Sequence, residues 1–235
     1  MTLDLNALKR AAAAKAVEFV TEGMKLGLGT GSTAEVFLEL LAARVRGGLN
    51  VIGTATSVRT AEKARSLGIP MAALDDLAPL DLTVDGADEA DRRLNLIKGG
   101  GGALLREKIV AASSRRMIVI ADKTKLVPRL GRYPLPVEVL EFGQKTTAQR
   151  IVEALAGLGY GRVSVTLRGR DGMTFVSDSG NLIYDCGIGA IVSPHKLAAA
   201  LSAIPGVVEH GLFIGLATTM IIARPRKIQV IERAK

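Results

Sequence analysis

The sequence predicts an α/β protein, in which a Rossmann-like parallel-sheet unit is joined to a smaller α+β unit of βαββαβ, ferredoxin-like type. Three observations predict it. Short aliphatic runs such as RMIVIAD (116–122) alternate with longer amphipathic stretches through the first half of the chain, the rhythm of strands and crossover helices. Aromatic residues make up only 3% of the 235 residues against 48% hydrophobic, so the core is aliphatic, as suits strands buried on both faces. The rhythm changes after Pro134 and Pro136.

Taken in order, 4–22 is an amphipathic helix, MKLGLG (24–29) a short strand and 30–45 a strong helical pattern. NVIGTAT (50–56) is a strand, and 57–67 a helix closed by Gly68. The run from Pro79 is a strand ending at Asp85, NLIK (95–98) a second short strand, 103–113 a helix and 116–122 a buried strand. The later part reads as a strand around PLPVEV, a helix over 146–158, the strand RVSVTL (162–167), and a hairpin over 173–186 with Ser179-Gly180-Asn181 as its turn. A helix after Ser193-Pro194-His195 and a strand in GVVEHGLF (206–213) complete the βαββαβ order. The last strands, ATTMIIA and KIQVIE, fit either unit.

The net charge is +8. A basic surface suits nucleic acid, but the one dense cluster is the tail RPRKIQVIERAK, with no helix-turn-helix, zinc or aromatic RNA-binding pattern beside it. General attraction of anionic metabolites is the better account, and no nucleic-acid partner is expected. The longest nearly apolar run, 211–223, is too short for a bilayer, so no membrane role is expected. The single cysteine, Cys186, excludes an intrachain disulfide and reads as a packed thiol. With no signal-peptide pattern at the start, a cytoplasmic location is expected.

Four loops carry the candidate chemistry. In GLGTGSTAEVF (27–37), Thr30, Gly31, Ser32 and Thr33 form a strand-to-helix turn whose N–H groups suit an anion. Ser32 breaks the dinucleotide fingerprint and no Lys follows Gly31, so the nest is scaled for a single phosphate; the bland alternative is a turn N-capped by Ser32 or Thr33. In VDGADEAD (84–91), Asp85 ends a strand and Asp88 follows across a glycine. Both carboxylates are expected to face one cavity, for sugar hydroxyls or proton transfer, with an Mg²⁺ site as the alternative.

In KGGGGALLREK (98–108), bare backbone N–H groups precede a helix bearing Glu107 and are placed to stabilise an oxyanion. No cation stands at i±4 from Glu107, and Ala103, Val110 and Ala111 surround it, an environment that raises a carboxyl toward a useful general base. Lys98 supplies a compensating charge. ADKTKLV (121–127) places Lys123 and Lys125 at the same sheet edge, where a lysine reaches a phosphate as a point charge. His195 and His210 lie outside any Ser or carboxylate constellation in the sequence.

In this order, GLGTGSTA, VDGADE, KGGGGALLREK and ADKTK, followed by PLPVEV, SDSGNLIYDC and IPGVVEHGLF, resemble the type A ribose-5-phosphate isomerases over nearly the whole chain. The resemblance implies an aldose–ketose isomerase that interconverts D-ribose 5-phosphate and D-ribulose 5-phosphate through an enediolate, with no metal and no cofactor. It makes Glu107 the proton acceptor. Asp85, Gly86, Ala87 and Asp88 would bind sugar hydroxyls and assist ring opening; Lys98 with Gly99, Gly100 and Gly101 would hold the reacting oxygens. Thr30, Gly31, Ser32 and Thr33 would form the substrate loop, with Lys125 binding substrate and Lys9 near the phosphate. It further implies a discontinuous domain (1–132 with 211–235), a small domain (133–210), and a homodimer or homotetramer. Two rivals fare worse. An amino-sugar phosphate deaminase/isomerase would show a histidine by an acidic pair, and a repressor-type sugar-phosphate sensor would carry a DNA-binding segment.

Overall fold

The computed structural model describes residues 4–233. Asp4 caps helix α1 (Leu5–Val17) by accepting the N–H groups of Asn6 and Ala7, each at 3.0 Å. The helix ends at Val17, short of residue 22, as tight turns at Phe19 and Val20 lead to the positive-φ Gly23. Strand β1 (Lys25–Leu28), helix α2 (Ser32–Arg46), strand β2 (Ile52–Ala55), helix α3 (Val58–Ser66), the single turn α4 (Leu74–Leu77) and strand β3 (Leu82–Asp85) follow. Next come β4 (Glu89–Ala90), β5 (Leu96–Ile97), α5 (Leu104–Ala112) and β6 (Met117–Asp122), which ends in a 3₁₀ turn over Lys123–Lys125.

The later part holds β7 (Leu135–Val139), α6 (Gln144–Gly157), β8 (Ser164–Leu167), β9 (Gly169–Arg170), β10 (Met173–Thr174), β11 (Leu182–Gly187), α7 (Pro194–Ser202) and β12 (Val207–His210). Strands β13 (Leu212–Phe213), β14 (Thr219–Arg224) and β15 (Lys227–Glu232) complete the described chain.

Six strands form the main sheet in the order β15-β14-β6-β3-β1-β2, parallel except for the edge strand β15. The last two strands therefore complete this sheet. Every residue of β3 and β6 is buried, as a parallel sheet covered on both faces requires. Each aliphatic side chain there, such as Val84 or Ile120, contributes about 1.5–3 kcal/mol of burial. These strands anchor the loops that leave their carboxyl ends.

The four-stranded sheet has the order β12-β7-β11-β8, antiparallel throughout, the split βαβ arrangement. The expected hairpin over 173–186 is corrected here: it shrinks to one bridge, Val176 to Leu182. Strand β10 pairs instead with β9 across Asp171-Gly172. Both of those residues have positive φ, 53° and 78°, the conformation of a type I′ turn, so Asp-Gly was the stronger hairpin signal. A small sheet, β13-β5-β4, completes the framework and sets the start of the glycine run beside Gly211, whose carbonyl accepts the Lys98 N–H at 2.9 Å.

Candidate active site

The carboxyl ends of β1, β3 and β6 release the loops 29–33, 86–88 and 123–125 at one edge of the main sheet, and β5 delivers 98–102 to the same place. This is where open α/β sheets bind ligands. A cavity of about 270 Å³ lies between them. Its wall includes Lys9, Thr30, Gly31, Ser32, Thr33, Gly86, Ala87, Asp88, Lys98, Gly99, Gly100, Gly101, Glu107 and Lys125. Leu5, Ile120, Ala121, Asp122 and Thr124 complete it.

At its base is a buried ionic cluster. Lys98 Nζ donates to Gly86 O at 2.7 Å and lies 3.1 Å from both Asp85 Oδ2 and Glu107 Oε1. One cation serves two buried carboxyls. Asp85 has further support, because its Oδ1 accepts the N–H groups of Gly86 (2.7 Å) and Thr30 (3.1 Å). Glu107 has no such support: among the described residues its Oε2 is buried with neither a hydrogen bond nor an ion pair, whereas Asp85 Oδ2 at least contacts Lys98. Burial raises Glu107 to about 8, with Asp85 adding repulsion and Lys98 pulling the other way. Burial also pushes Asp85 up, against Lys98 and the two N–H groups. The two anions outweigh burial at Lys98 and hold it above its ordinary value, so it stays protonated.

The family model for ribose 5-phosphate isomerase A (phosphoriboisomerase A) matches residues 52–227. The chain belongs to that family. It is 59% identical to ribose-5-phosphate isomerase A of Nitrobacter hamburgensis, over 99% of this chain and all of the relative. The corresponding protein of Bradyrhizobium diazoefficiens is 58% identical over 99% of this chain and 98% of its own. Among solved structures, ribose 5-phosphate isomerase from Plasmodium falciparum superposes with a TM-score of 0.93 at 35% identity, covering 98% of this chain and all of that one. A D-ribose-5-phosphate isomerase in complex with phospho-erythronic acid superposes at 0.91, also at 35% identity, covering 98% and 100%.

Within this isomerase frame, four expectations change. Asp85 is fully buried and absent from the cavity wall; its oxygens are turned onto Lys98 and the 29–30 turn, leaving Asp88 as the one of this pair that faces the cavity. The Thr30 hydroxyl is likewise turned inward, within 2.8 Å of Thr56 and Ser57 and 3.0 Å of Thr60. Thr56 and Ser57 end the stretch NVIGTATS, whose closing hydroxyls were the available signal, and Thr60 follows on α3. Helix α2 takes Gly31 as its N-cap with no side-chain cap among the described residues, so neither the Ser32 nor the Thr33 hydroxyl occupies its first-turn N–H groups.

The glycine run is the third. Gly100 donates its N–H to Asp88 Oδ2 at 2.7 Å, and a Cβ there would meet that carboxylate and the Tyr133 hydroxyl. Gly102, at φ +84°, has the Phe175 ring where a Cβ would stand. Packing inside the protein, more than approach of a ligand, demands these glycines. Gly101 differs: it is exposed, a Cβ there would meet only Thr30 Cγ2, at 3.8 Å, and its N–H has no protein partner among the described residues. Arg168 braces the run from outside, donating to Gly99 O at 2.7 Å while paired with Asp185. Nothing in the local sequence signals Arg168, which acts from 69 residues away. The histidines also need revision. Among the described residues His195 has no side-chain partner, but His210 lies 3.3 Å from Ser202 Oγ and 3.9 Å from Glu209 Oε1. This Ser–His–Glu grouping does not line the cavity.

Proposed function

We propose that Glu107 is the base with which this enzyme interconverts ribose 5-phosphate and ribulose 5-phosphate. The observation that carries the proposal is the unpartnered Glu107 Oε2, buried in the cavity wall next to a protonated lysine. A base needs a free lone pair and a pKa near the working pH, and burial supplies both.

The phosphate sits at the first turn of α2, against the backbone of Ser32 and Thr33, with Lys9 and Lys125 as flanking charges. That seats the C1–C2 end at the glycine run. Glu107 removes the proton from C2, the electrons move onto the C1 carbonyl oxygen, and the enediolate forms. The charge meets Lys98 and the free Gly101 N–H, donors of a kind worth about 2.7–4 kcal/mol each when aimed at developing charge. The hydroxyl proton passes from O2 to O1 by way of Asp88, and Glu107 returns its proton to C1. Asp88 also serves ring opening. Asp85 is a positioning residue, holding Lys98 and the 29–30 turn. No metal or cofactor enters these steps. The relative in complex with phospho-erythronic acid supports the placement, since a phosphorylated sugar acid shares the phosphate and the paired oxygens of the enediolate.

On the same proposal the enzyme is cytoplasmic and a homodimer or homotetramer. No helix among the described residues is long and apolar enough to cross a membrane. The proposed division into 1–132 with 211–235, and 133–210, is supported by the separate sheets, one drawn from 25–122 and 219–232, the other from 135–210.

Glu107→Gln tests the central step. Turnover should fall by about 10³-fold, within the range of general-base loss, while phospho-erythronic acid still binds within a few-fold of wild type. Wild-type turnover in this variant would remove Glu107 from the role.

A further inference from the structure

The cavity at the sheet edge is not the most spacious in the molecule. A second, of about 690 Å³, is lined by Arg92, Arg93, Arg129 and Arg233. It shares Arg92 and Pro128 with a neighbouring hollow of about 310 Å³, which adds Lys123 and Arg224. Together they form one cationic trough. Arg224 and Arg233 belong to the basic tail, which the isomerase reaction leaves without a purpose.

The trough lacks counter-charge. Among the described residues Asp91 is the one carboxylate in either wall, and its oxygens are already taken by the Arg93 N–H (2.8 Å), the Asn95 N–H (3.0 Å) and Asn95 Nδ2 (2.9 Å). Among the described residues none of the six cations forms an ion pair; Arg233 gives only Nη1 to Gly215 O at 2.7 Å. Gathered like charges oppose folding unless something anionic joins them. Guanidinium forks match phosphate oxygens two at a time.

Size and shape narrow the class. The substrate cavity offers about 270 Å³ to a pentose phosphate, and this trough is more than twice as roomy, with cations spread along two connected hollows. One phosphate would touch only part of it. Among the described residues no Phe, Tyr or Trp lines either wall and His195 is the one ring there, so a run of unpaired bases has no series of stacking platforms. We propose that the trough binds an oligophosphate, a chain of linked phosphates either free or carried on a nucleoside.

The test is calorimetric titration of the full chain with tripolyphosphate and, in a parallel arm, with a nucleoside triphosphate, both under saturating ribose 5-phosphate. Binding should persist with the substrate cavity filled. It should weaken at least about tenfold, roughly 1.4 kcal/mol, in Arg92→Gln/Arg129→Gln, whose turnover stays within about twofold of wild type. Equal affinity in the two arms assigns recognition to the phosphate chain, and preference for the second assigns part of it to the nucleoside; both support the site. Three results would overturn it: competition with ribose 5-phosphate and indifference to the double substitution, displacement of tripolyphosphate by duplex DNA, or no binding up to about 1 mM.

Discussion

Two lysines, Lys98 buried and Lys108 half-buried, lie against one phenyl ring, and they do different work. Lys98 Nζ lies 5.6 Å and Lys108 Nζ 5.0 Å from the centre of Phe213. Lys108 donates to Glu209 Oε1 and to His210 O, each at 2.6 Å, and lies 3.3 Å from His210 Nδ1. Burial, and then Lys108, lowers His210 to about 4, so the ring is neutral and one cation faces one carboxylate. Around Lys98 the count does not close: two carboxyls share one cation, and an oxygen of Glu107 is left over. Burial lowers Lys108, whereas the surplus of negative charge raises Lys98 despite burial. Both clusters are buried and ionic. What marks the reactive one is an unfilled valence for a proton.

The sharpest way to break this contrast is Lys98→Met. It should cost about 10²–10³-fold in kcat/KM, the usual loss of a donor aimed at developing charge. In the wild type, kcat/KM should climb as pH rises through about 8, because the base works only once deprotonated. Lys98 opposes the upward shift of Glu107, so its removal should move that limb to higher pH. Steady-state rates across the neutral and alkaline range check both effects, and an unmoved limb would dissociate the pair.

Lys108→Met should reverse the pattern. Breaking a buried pair costs about 3–5 kcal/mol; with side chains 15% and 22% exposed, about 2–3 kcal/mol is expected, read by urea unfolding. Its kcat/KM should stay within about tenfold of wild type. A loss as deep as that of Lys98→Met would erase the distinction between the clusters.

The smallest effects sharpen the comparison at the glycine run. Gly102→Ala forces a side chain into the left-handed region and against Phe175, and should lower stability by about 1–3 kcal/mol. Gly101→Ala meets only an ordinary contact. It should leave the melting temperature nearly unchanged while raising KM or lowering kcat a few-fold. Equal melting losses in the two variants would mean that both glycines serve packing alone.

Much of the site was readable along the chain because its parts are local. A strand end, a turn and a helix start lie within a dozen residues of one another in GLGTGSTAEVF and in KGGGGALLREK, and backbone conformation ties their chemistry together. The inward turn of Asp85 was not readable, since it depends on Lys98 arriving from the end of β5. Nor was the His210 grouping, built from Ser202 on α7 and from Lys108, which lies 102 residues away on α5. The hairpin expected at 173–186 gives way for the opposite reason: Asp171-Gly172 is a stronger local turn, and Phe175 is drawn to the glycine run.

By itself the chain's order of residues determined the alternation of strands and helices, the loops that meet at one sheet edge, and the glutamate that follows bare backbone. Those features rest on φ/ψ preference and on the spacing of apolar residues, which act over a few positions. Only the tertiary structure decided how a single ammonium is divided between Asp85 and Glu107, and hence which carboxyl keeps an oxygen free. Burial and counter-charge are sums over neighbours from distant parts of the chain, and no local pattern contains them.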